Sequence, residues 1–397
     1  MQDIDRSGHE FGRRAFLRGA AATSAAVAAA RGRLNADDAD ARPFGPAGLI
    51  ARQKGPDNLE FPFSTLESFL TPNAQFYVRT HFEVPRLDAA TWRLKVEGAV
   101  ERPLELSLDE LRQLPSRRVA ALLECSGNGR VFLKPPQIGI RWELGGVGNA
   151  EWAGVPLATV LDRAGVHDGA VEVILQGADR GKFEEPEPRT PGVIPYARSL
   201  PLTKARQPEV ILAYRMNGEE LPPAHGYPVR VIVPGWYGMA SVKWLTRVIV
   251  TDRPFDGYFQ SFMYTIWERR HGLPSLVPVT ELEVKAEIAR PAPHEVVARG
   301  SEYRVFGAAW TGESEVTKVE FSADGGTDWA EAKLLGEPVR YAWRFWEYAW
   351  QTPARAGRYP VMARATDGRG RVQPTKRDED RRDAVISHVL PIEVEVR

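Results

Sequence analysis

The sequence predicts an α+β domain over residues 57–277, followed by an all-β sandwich of immunoglobulin type over residues 278–397. In the first region, short alternating strands are mixed with short helical segments. After Pro278, strands recur at short, regular spacing and are separated by turn clusters such as Asp324-Gly325-Gly326. The 35 glycines and 31 prolines also suit a turn-rich, mostly β protein.

Length and charge narrow the class of protein. A chain of 397 residues is too long for one ordinary hydrophobic core, so more than one domain is expected. Its 52 basic and 52 acidic residues balance, which argues against a nucleic-acid-binding protein.

The N-terminus is typical of an export signal. A twin arginine, Arg13-Arg14, is followed by an aromatic residue, a leucine and an uncharged Ala-rich stretch, which predicts a twin-arginine signal peptide over residues 1–31 and a polar linker over 32–56. The protein is then expected in the periplasm. Since this route carries folded cargo, it also hints at a redox cofactor inserted before export. A disordered basic tail or a short amphipathic helix is the alternative.

The elements of the first region follow from local patterns. Residues 92–98 alternate and predict an edge strand, and Ser107 or Asp109 is expected to cap a helix over 106–114. A second short helix is expected over 156–164, and further strands over 75–82, 171–175, 210–214 and 241–250. The sandwich strands are expected over 284–288, 303–307, 316–321, 341–346, 357–365 and 390–396.

The strand expected over 75–82 places two basic side chains together. Its period of two puts Arg79 and His81 on one face, an arrangement compatible with an anion site. A solvated strand face is the simpler alternative.

Cys125 is the single cysteine of the chain and opens a loop of small and polar residues, 126–129. An isolated cysteine is usually a small buried hydrophobe. The count rules out an intrachain disulfide, iron–sulfur clusters, clustered-cysteine metal sites and covalently attached haem. A cysteine hydrolase with His81 or His225 as its base stays open, although the neighbouring Arg79 and Arg230 favour anion binding.

What remains is one soft thiolate together with basic residues at loop–strand junctions. That pattern fits a metal whose other ligands come from a large anionic cofactor. Motifs for zinc proteases, nucleophile elbows and phosphate-binding Walker loops are absent from the sequence.

A series of motifs in order along the chain resembles the sulfite oxidase family of molybdenum enzymes, over about residues 57–397. They are Phe-Tyr-Val-Arg-Thr-His at 76–81, Cys-Ser-Gly-Asn-Gly-Arg at 125–130, Trp142 with Trp-Ala-Gly at 152–154, Asp179, Met-Asn-Gly at 216–218, His-Gly-Tyr-Pro-Val-Arg at 225–230 and Ser-Val-Lys-Trp-Leu at 241–245. Each motif is weak alone, and their order and spacing carry the resemblance.

The resemblance implies a cofactor, a chemistry and a set of site residues. Cys125 would be the protein ligand of molybdenum in a molybdenum–molybdopterin cofactor. The cofactor-binding residues would be Tyr77, Arg79, His81, Asp179, His225, Arg230, Ser241 and Lys243, and the substrate pocket would be lined by Arg79, Arg130, Trp142 and Tyr264. The implied reaction is oxygen-atom transfer to sulfite or a related sulfur anion, with electrons passed to a c-type cytochrome, and the implied assembly is a homodimer joined by the sandwich.

The chain also departs from the family pattern. Gly129 and Thr80 stand where the family carries an arginine and an asparagine, and the C-terminal Trp-Asn-Leu-Arg-like stretch is replaced by residues 381–384. Arg381 or Arg382 is therefore the candidate to complete the pocket, and the substrate is expected to be sulfite or another sulfur anion.

Two other functions remain to be weighed. A reductase of sulfoxides or similar small oxides fits the cofactor but not Arg79, Arg130 and the sandwich. A non-enzymatic exported binding protein leaves the ordered basic motifs unexplained.

Overall fold

The first region of the fold is built around two five-stranded sheets. The computed structural model describes residues 42–43, 48–185 and 187–397, and the predicted signal peptide lies outside this part of the chain. The strands of this region are β1 (Arg42–Pro43), β2 (Ile50–Gln53), β3 (Asn58–Glu60), β4 (Arg93–Gly98), β5 (Leu104–Ser107), β6 (Arg117–Glu124), β7 (Val147–Pro156), β8 (Glu172–Gly181), β9 (Ile194–Pro201), β10 (Ile211–Met216), β11 (Glu219–Glu220), β12 (Arg230–Ile232), β13 (Leu245–Thr251), β14 (Thr265–Arg270) and β15 (Leu273–Pro278).

The order of these strands shows how distant segments meet. One sheet runs β11-β10-β7-β6 with β12 on β10, and the other runs β5-β4-β13-β8-β9. Three short α-helices accompany them: α1 (Leu108–Arg112), α2 (Leu157–Ala164) and α3 (Leu202–Ala205). Ser107 caps α1 as predicted, since its hydroxyl accepts from the Glu110 N–H while the Glu110 carboxylate accepts from the Ser107 N–H.

The second region is all β, as predicted. Its strands are β16 (Lys285–Arg290), β17 (Val296–Val297), β18 (Glu302–Trp310), β19 (Val316–Ser322), β20 (Ala330–Leu334), β21 (Arg344–Gln351), β22 (Gly357–Asp367) and β23 (Ile392–Val396). They are connected in the order β16-β18-β21-β20-β19-β22-β23-β17. Trp310, Trp343 and Trp346 are buried here, and one continuous core of buried side chains runs through both regions.

Three local predictions are corrected. Residues 92–98 do not form an edge strand, because β4 lies between β5 and β13. The strand expected over 75–82 is absent: a 3-10 turn at Asn73–Gln75 is followed by a single bridge between Val78 and Leu59. The side chain of Asn58 takes the place of a partner strand, since its oxygen accepts from the Thr80 N–H at 3.0 Å.

The third correction concerns the predicted linker over 32–56, which does not hold for residues 50–53. They form β2, which pairs with β3 and buries Ala51. Arg52 also forms an ion pair with the buried carboxylate of Glu60. This segment therefore belongs to the fold. In the described part of the chain, no helix has the length and apolar character needed to cross a membrane.

Candidate active site

Cys125 lies at the end of β6, where the chain leaves the sheet. The pairing of Glu124 with Val147 ends the β6–β7 ladder, and the Cys125 N–H then donates to the Gly146 carbonyl at 2.8 Å. The thiol is free and partly exposed, so Cys125 is not simply a buried hydrophobe. Two clefts meet at this residue.

The first of these clefts, the inner cradle, encloses about 660 Å³ including its open mouth. It brings together all the residues predicted to hold the cofactor: Tyr77, Arg79, His81, Asp179, His225, Arg230, Ser241 and Lys243, with Cys125 beside them. These side chains come from separate loops and strand ends of both sheets. The fold thus assembles in space a set that the sequence spreads over 167 positions, from Tyr77 to Lys243.

The inner cradle carries more positive than negative charge. Arg230 is 4% exposed and donates to the backbone carbonyls of His225 (3.1 Å) and Ser241 (2.9 Å). Lys243 donates to the Ala224 carbonyl at 2.9 Å and lies 4.2 Å from the Trp244 ring centroid. Within the described residues, neither cation has a carboxylate at ion-pair distance. Buried cations held by neutral groups favour an anionic ligand.

Burial governs the titration of these groups. It lowers the pKa of Arg230 to about 10, and it lowers the pKa of Lys243 well below the usual range. Asp179 is the one acid of the inner cradle. Its burial outweighs the attraction of Lys243 and raises the pKa of its carboxyl to about 6.

Both histidines of the inner cradle are neutral near pH 7. Burial, reinforced by Lys243 and Arg230, lowers the pKa of His225 to about 3, and its Nε2 lies 3.2 Å from the Asn73 carbonyl, to which it donates. Burial and Arg79 lower the pKa of His81, whose Nε2 lies 2.6 Å from the Tyr264 hydroxyl. In the part of the chain described, neither histidine hydrogen-bonds to Cys125, which counts against a cysteine hydrolase.

Several buried polar atoms of the inner cradle lack partners. They include Asp179 Oδ1, Arg230 Nε and Ser126 Oγ. Buried polar groups are normally hydrogen-bonded, so such atoms are expected where a polar ligand binds. Together with the excess of positive charge, they fit an anionic, hydrogen-bonding group such as a pterin phosphate. The described residues contain no cluster of three or more His, Cys, Asp or Glu side chains placed to hold a metal ion.

The second cleft, the outer cleft, is also lined by Cys125 and encloses about 1120 Å³ including its mouth. It is lined by three of the four residues predicted for the substrate pocket, Arg79, Arg130 and Tyr264. Burial raises the pKa of Tyr264, so its hydroxyl stays protonated and can donate. Six residues line both clefts: Arg79, Thr80, His81, Cys125, Ser126 and Tyr264.

Arg130 is fixed in a slot between two glycines. Its Nη1 donates to the Ile140 carbonyl at 2.9 Å and its Nη2 to the Asp383 carbonyl at 2.7 Å. A Cβ on Gly127 would lie 2.4 Å from Nη1, and one on Gly139 would lie 2.8 Å from it. The guanidinium position therefore depends on two residues without side chains.

The backbone conformation and surroundings of Gly129 explain why the chain has no arginine at this position of the family pattern. Its φ is +97°, and a Cβ there would lie 2.4 Å from Leu390 Cδ1. An arginine at this position would be strained and would collide with the C-terminal segment.

Three predicted pocket residues lie elsewhere. Trp142 is fully buried, packs edge-on against Tyr77 at 6.1 Å and lines neither cleft, because its ring fills a core cluster behind the cysteine loop. Arg381 pairs with Glu283 and Asp378, and Arg382 donates to Thr265. Neither arginine lines either cleft. From this segment, Asp383 and Ala384 line the outer cleft instead.

Sequence reasoning missed two residues beside the site. Tyr196 stacks on His81 with ring centroids 4.5 Å apart, and Arg198 is 1% exposed with its guanidinium 5.8 Å from the Tyr264 ring centroid. Both lie on β9 two positions apart, and the period of two would have placed them on one face.

Comparisons with known proteins identify related families and a related fold. The family model described as oxidoreductase molybdopterin binding domain matches residues 81–259, and the one described as Mo-co oxidoreductase dimerisation domain matches residues 277–382. Sulfite oxidase of Gallus gallus is 38% identical over 345 residues, which are 82% of this chain and 73% of the relative. Nitrate reductase (NADH) 1 of Arabidopsis thaliana is 32% identical over 81% of this chain, but only 38% of that protein is covered.

A solved structure has the same overall fold. The sulfane dehydrogenase SoxCD from Paracoccus pantotrophus superposes with a TM-score of 0.75 at 26% identity. The match covers 93% of this chain and 92% of that one, and so includes both regions.

Proposed function

Because the chain belongs to the sulfite oxidase family of molybdopterin-dependent oxidoreductases, we propose that it oxidises sulfite or a related small sulfur oxyanion by oxygen-atom transfer. The observation that carries the proposal is the outer cleft, which Arg79, Arg130 and Tyr264 line together with Cys125. As a member of this family the chain is an enzyme, so the non-enzymatic binding protein is set aside.

The inner cradle supplies what the cofactor needs. When bound, the molybdenum–molybdopterin cofactor provides the centre for oxygen-atom transfer and for the two electrons that follow. Cys125 would give the metal its protein sulfur, since a thiolate is a suitable soft ligand. Arg230 and Lys243 would neutralise the phosphate of the cofactor, and Asp179, His225, Ser241, His81 and Tyr77 would hydrogen-bond or pack against the pterin.

The outer cleft binds and orients the substrate. Guanidinium groups bind oxyanions through charge-assisted and often bidentate hydrogen bonds, which Arg79 and Arg130 can offer here. In the His81 tautomer that carries its proton on Nε2, the Tyr264 hydroxyl accepts from His81 and keeps its own proton free to donate a further hydrogen bond to the anion. These groups place a small anion beside Cys125.

Purified, cofactor-loaded protein tests this function. We expect molybdenum at about one atom per chain and reduction of a c-type cytochrome that depends on sulfite, with thiosulfate assayed next. A protein that turns over only a sulfoxide with a reduced dye would show that the reaction runs in the reductive direction. Loaded protein inactive with every sulfur anion would refute the proposal.

Replacement of Cys125 tests the metal ligand. Cys125→Ser is expected to abolish turnover because it removes the only thiolate, while tryptophan fluorescence and pterin content stay close to the unmodified protein. Full activity in the variant would refute the assignment.

Assembly and location complete the proposal. The match to a dimerisation domain over residues 277–382 supports a homodimer formed by the sandwich, whose immunoglobulin type stays a prediction, and light scattering measures its mass. The twin arginine supports export to the periplasm and use of a c-type cytochrome there. Arg13→Lys combined with Arg14→Lys should retain the protein in the cytoplasm, as cell fractionation would show.

A further inference from the structure

A buried ionic cluster joins the two regions directly behind the cysteine loop. Lys285 of β16 has no exposed surface, and its Nζ lies 2.8 Å from Glu124 Oε1 and 2.9 Å from Glu287 Oε1. It also donates to the Asn128 carbonyl at 3.1 Å. Trp310 Nε1 donates to the other oxygen of Glu124 at 2.8 Å.

This cluster contacts both ends of the turn that carries Cys125. Glu124 directly precedes Cys125, and the Asn128 N–H donates to the Cys125 carbonyl at 2.8 Å. The Asn128 side chain connects the two regions. Its oxygen accepts from the Gly146 N–H at 2.9 Å, and its nitrogen donates to Glu287 at 3.1 Å. The position of Cys125 is thus tied to β16 through a short series of hydrogen bonds.

The charges make the cluster hard to rearrange. Glu124, Lys285 and Glu287 are each nearly or fully buried, and charged groups away from water are stable only when paired and hydrogen-bonded. Lys285 is the one cation that contacts both carboxylates among the described residues. Without it, two buried carboxylates would face each other next to the cysteine loop.

We propose that Lys285, which belongs to the second region, is a positioning residue for the Cys125 loop, so that this region helps to build the active site as well as to dimerise. The catalytic consequence rests on the proposed role of Cys125 as metal ligand. The proposal that Lys285 positions the loop does not depend on that role, because it concerns only the conformation of the loop.

The single cysteine provides a direct measurement. In the cofactor-free full-length chain, the rate of alkylation by a soluble thiol reagent reports Cys125 alone. Lys285→Met keeps the length of the side chain and removes its charge. We expect alkylation to become about tenfold faster, because a less firmly held loop exposes more of the partly buried thiol. Glu287→Gln keeps the shape and should give a smaller rise, about threefold.

Lys204→Met is the matched control. Lys204 is also a buried lysine that forms an ion pair across the two regions, with Glu313, but its other hydrogen bond goes to the Pro234 carbonyl and none goes to the cysteine loop. Its alkylation rate should stay within about twofold of the unmodified chain. Circular dichroism of the tryptophan bands shows which variants are folded. If Lys285→Met is not folded, the alkylation rate of Glu287→Gln tests the proposal instead.

The loaded enzyme gives a second readout. Misplaced sulfur should change the electron paramagnetic resonance spectrum of the partly reduced metal and lower kcat more than it changes KM in the folded Lys285 or Glu287 variant, but not in Lys204→Met. Unchanged alkylation in the folded variants, or an equal rise in Lys204→Met, would overturn the inference. Absence of molybdenum would instead refute the proposed function, leaving the alkylation result to stand on its own.

Discussion

At the scale of single residues, the position of Arg130 in the outer cleft depends on two neighbouring glycines. Arg130 reaches its position because Gly127 and Gly139 leave room for the guanidinium, and two backbone carbonyls hold it there. If Arg130 binds the substrate anion as proposed, a guanidinium held in this way has little freedom to lose on binding. In the proposed substrate pocket, the two glycines would therefore affect the affinity for an anion through the position of Arg130.

Gly139→Ala tests this arrangement. The new methyl group would lie 2.8 Å from Arg130 Nη1 and push the guanidinium out of its slot. KM for sulfite should rise about tenfold, the value of one charge-assisted hydrogen bond, with a smaller change in kcat. Steady-state kinetics measures both.

Gly192→Ala separates this effect from backbone strain. Gly139 and Gly192 both have positive φ, +113° and +90°, but nothing lies within 4 Å of a Cβ on Gly192. The Gly192 variant should keep the KM of the unmodified enzyme. Equal KM values in the two variants would contradict the role of the slot.

His225 makes the stability of the cofactor-free protein depend on pH. Its pKa is about 3 in the folded chain, against 6.5 for an exposed histidine. Between these values the unfolded chain binds a proton that the folded chain does not, so this group's stabilisation is complete above pH 6.5 and is lost as the pH falls toward 3. From pH 6.5 to 4.5 the loss is about 2 kcal/mol.

His225→Gln removes this dependence. Urea unfolding at pH 6.5 and 4.5 should show that the free energy of unfolding falls by about 2 kcal/mol less in the variant than in the unmodified chain. His271→Gln, at an exposed hairpin turn, is the control and should fall as the unmodified chain does. An equal fall in all three chains would be inconsistent with a neutral, buried His225.

At the scale of elements, the sequence predicts what is determined locally. The capped helix α1, the helix α2 and most strands of the second region were expected close to their observed bounds, because capping residues and alternation are short-range signals. The short strands β17 and β20 were not predicted, and the strand expected over 341–346 lies at Arg344–Gln351. The strand expected over 75–82 is wrong because a side chain, Asn58, supplies the hydrogen bond that a neighbouring strand would give. The alternation of apolar and polar residues along one segment does not show which distant side chain will be its partner.

The same limit applies to the site. Motif order was enough to predict the residues that line the inner cradle, but it wrongly placed Trp142 in the substrate pocket, because burial depends on what packs against the ring. The role of Lys285 had no local signal, since it pairs with Glu124 across 161 positions of sequence.

The N-terminal strand β2 is part of the folded unit, and truncation tests this. A chain that begins at residue 57 loses buried Leu49 and Ala51 and leaves the Glu60 carboxylate without Arg52. Compared with a chain that begins at residue 48, it should be less stable by about 3 kcal/mol or more, mainly because a buried charge loses its partner. Urea unfolding measures the difference, and equal midpoints would show that β2 contributes nothing.

At the scale of the whole molecule, the candidate active site lies where the two regions meet. The first region supplies the inner cradle and Cys125, while the second supplies Lys285 and Glu287 behind the cysteine loop. The C-terminal segment contributes too, because the Asp383 carbonyl accepts from Arg130 and the Ile386 N–H donates to the Ser126 carbonyl. A domain that only mediated dimerisation would not need these contacts.

This arrangement predicts that the two regions unfold together. One buried core runs through both regions. Separating the regions would also break the buried ion pairs that Lys285 forms with Glu124 and Glu287. Calorimetry of the cofactor-free chain should therefore give a single transition with calorimetric and van't Hoff enthalpies in a ratio of about one. Residues 48–278 produced alone should lack the native tryptophan signal, because Glu124 and Asn128 would lose their partners. Two separate transitions, or a native-like isolated fragment, would show that the second region is an independent module and that the cysteine loop does not depend on it.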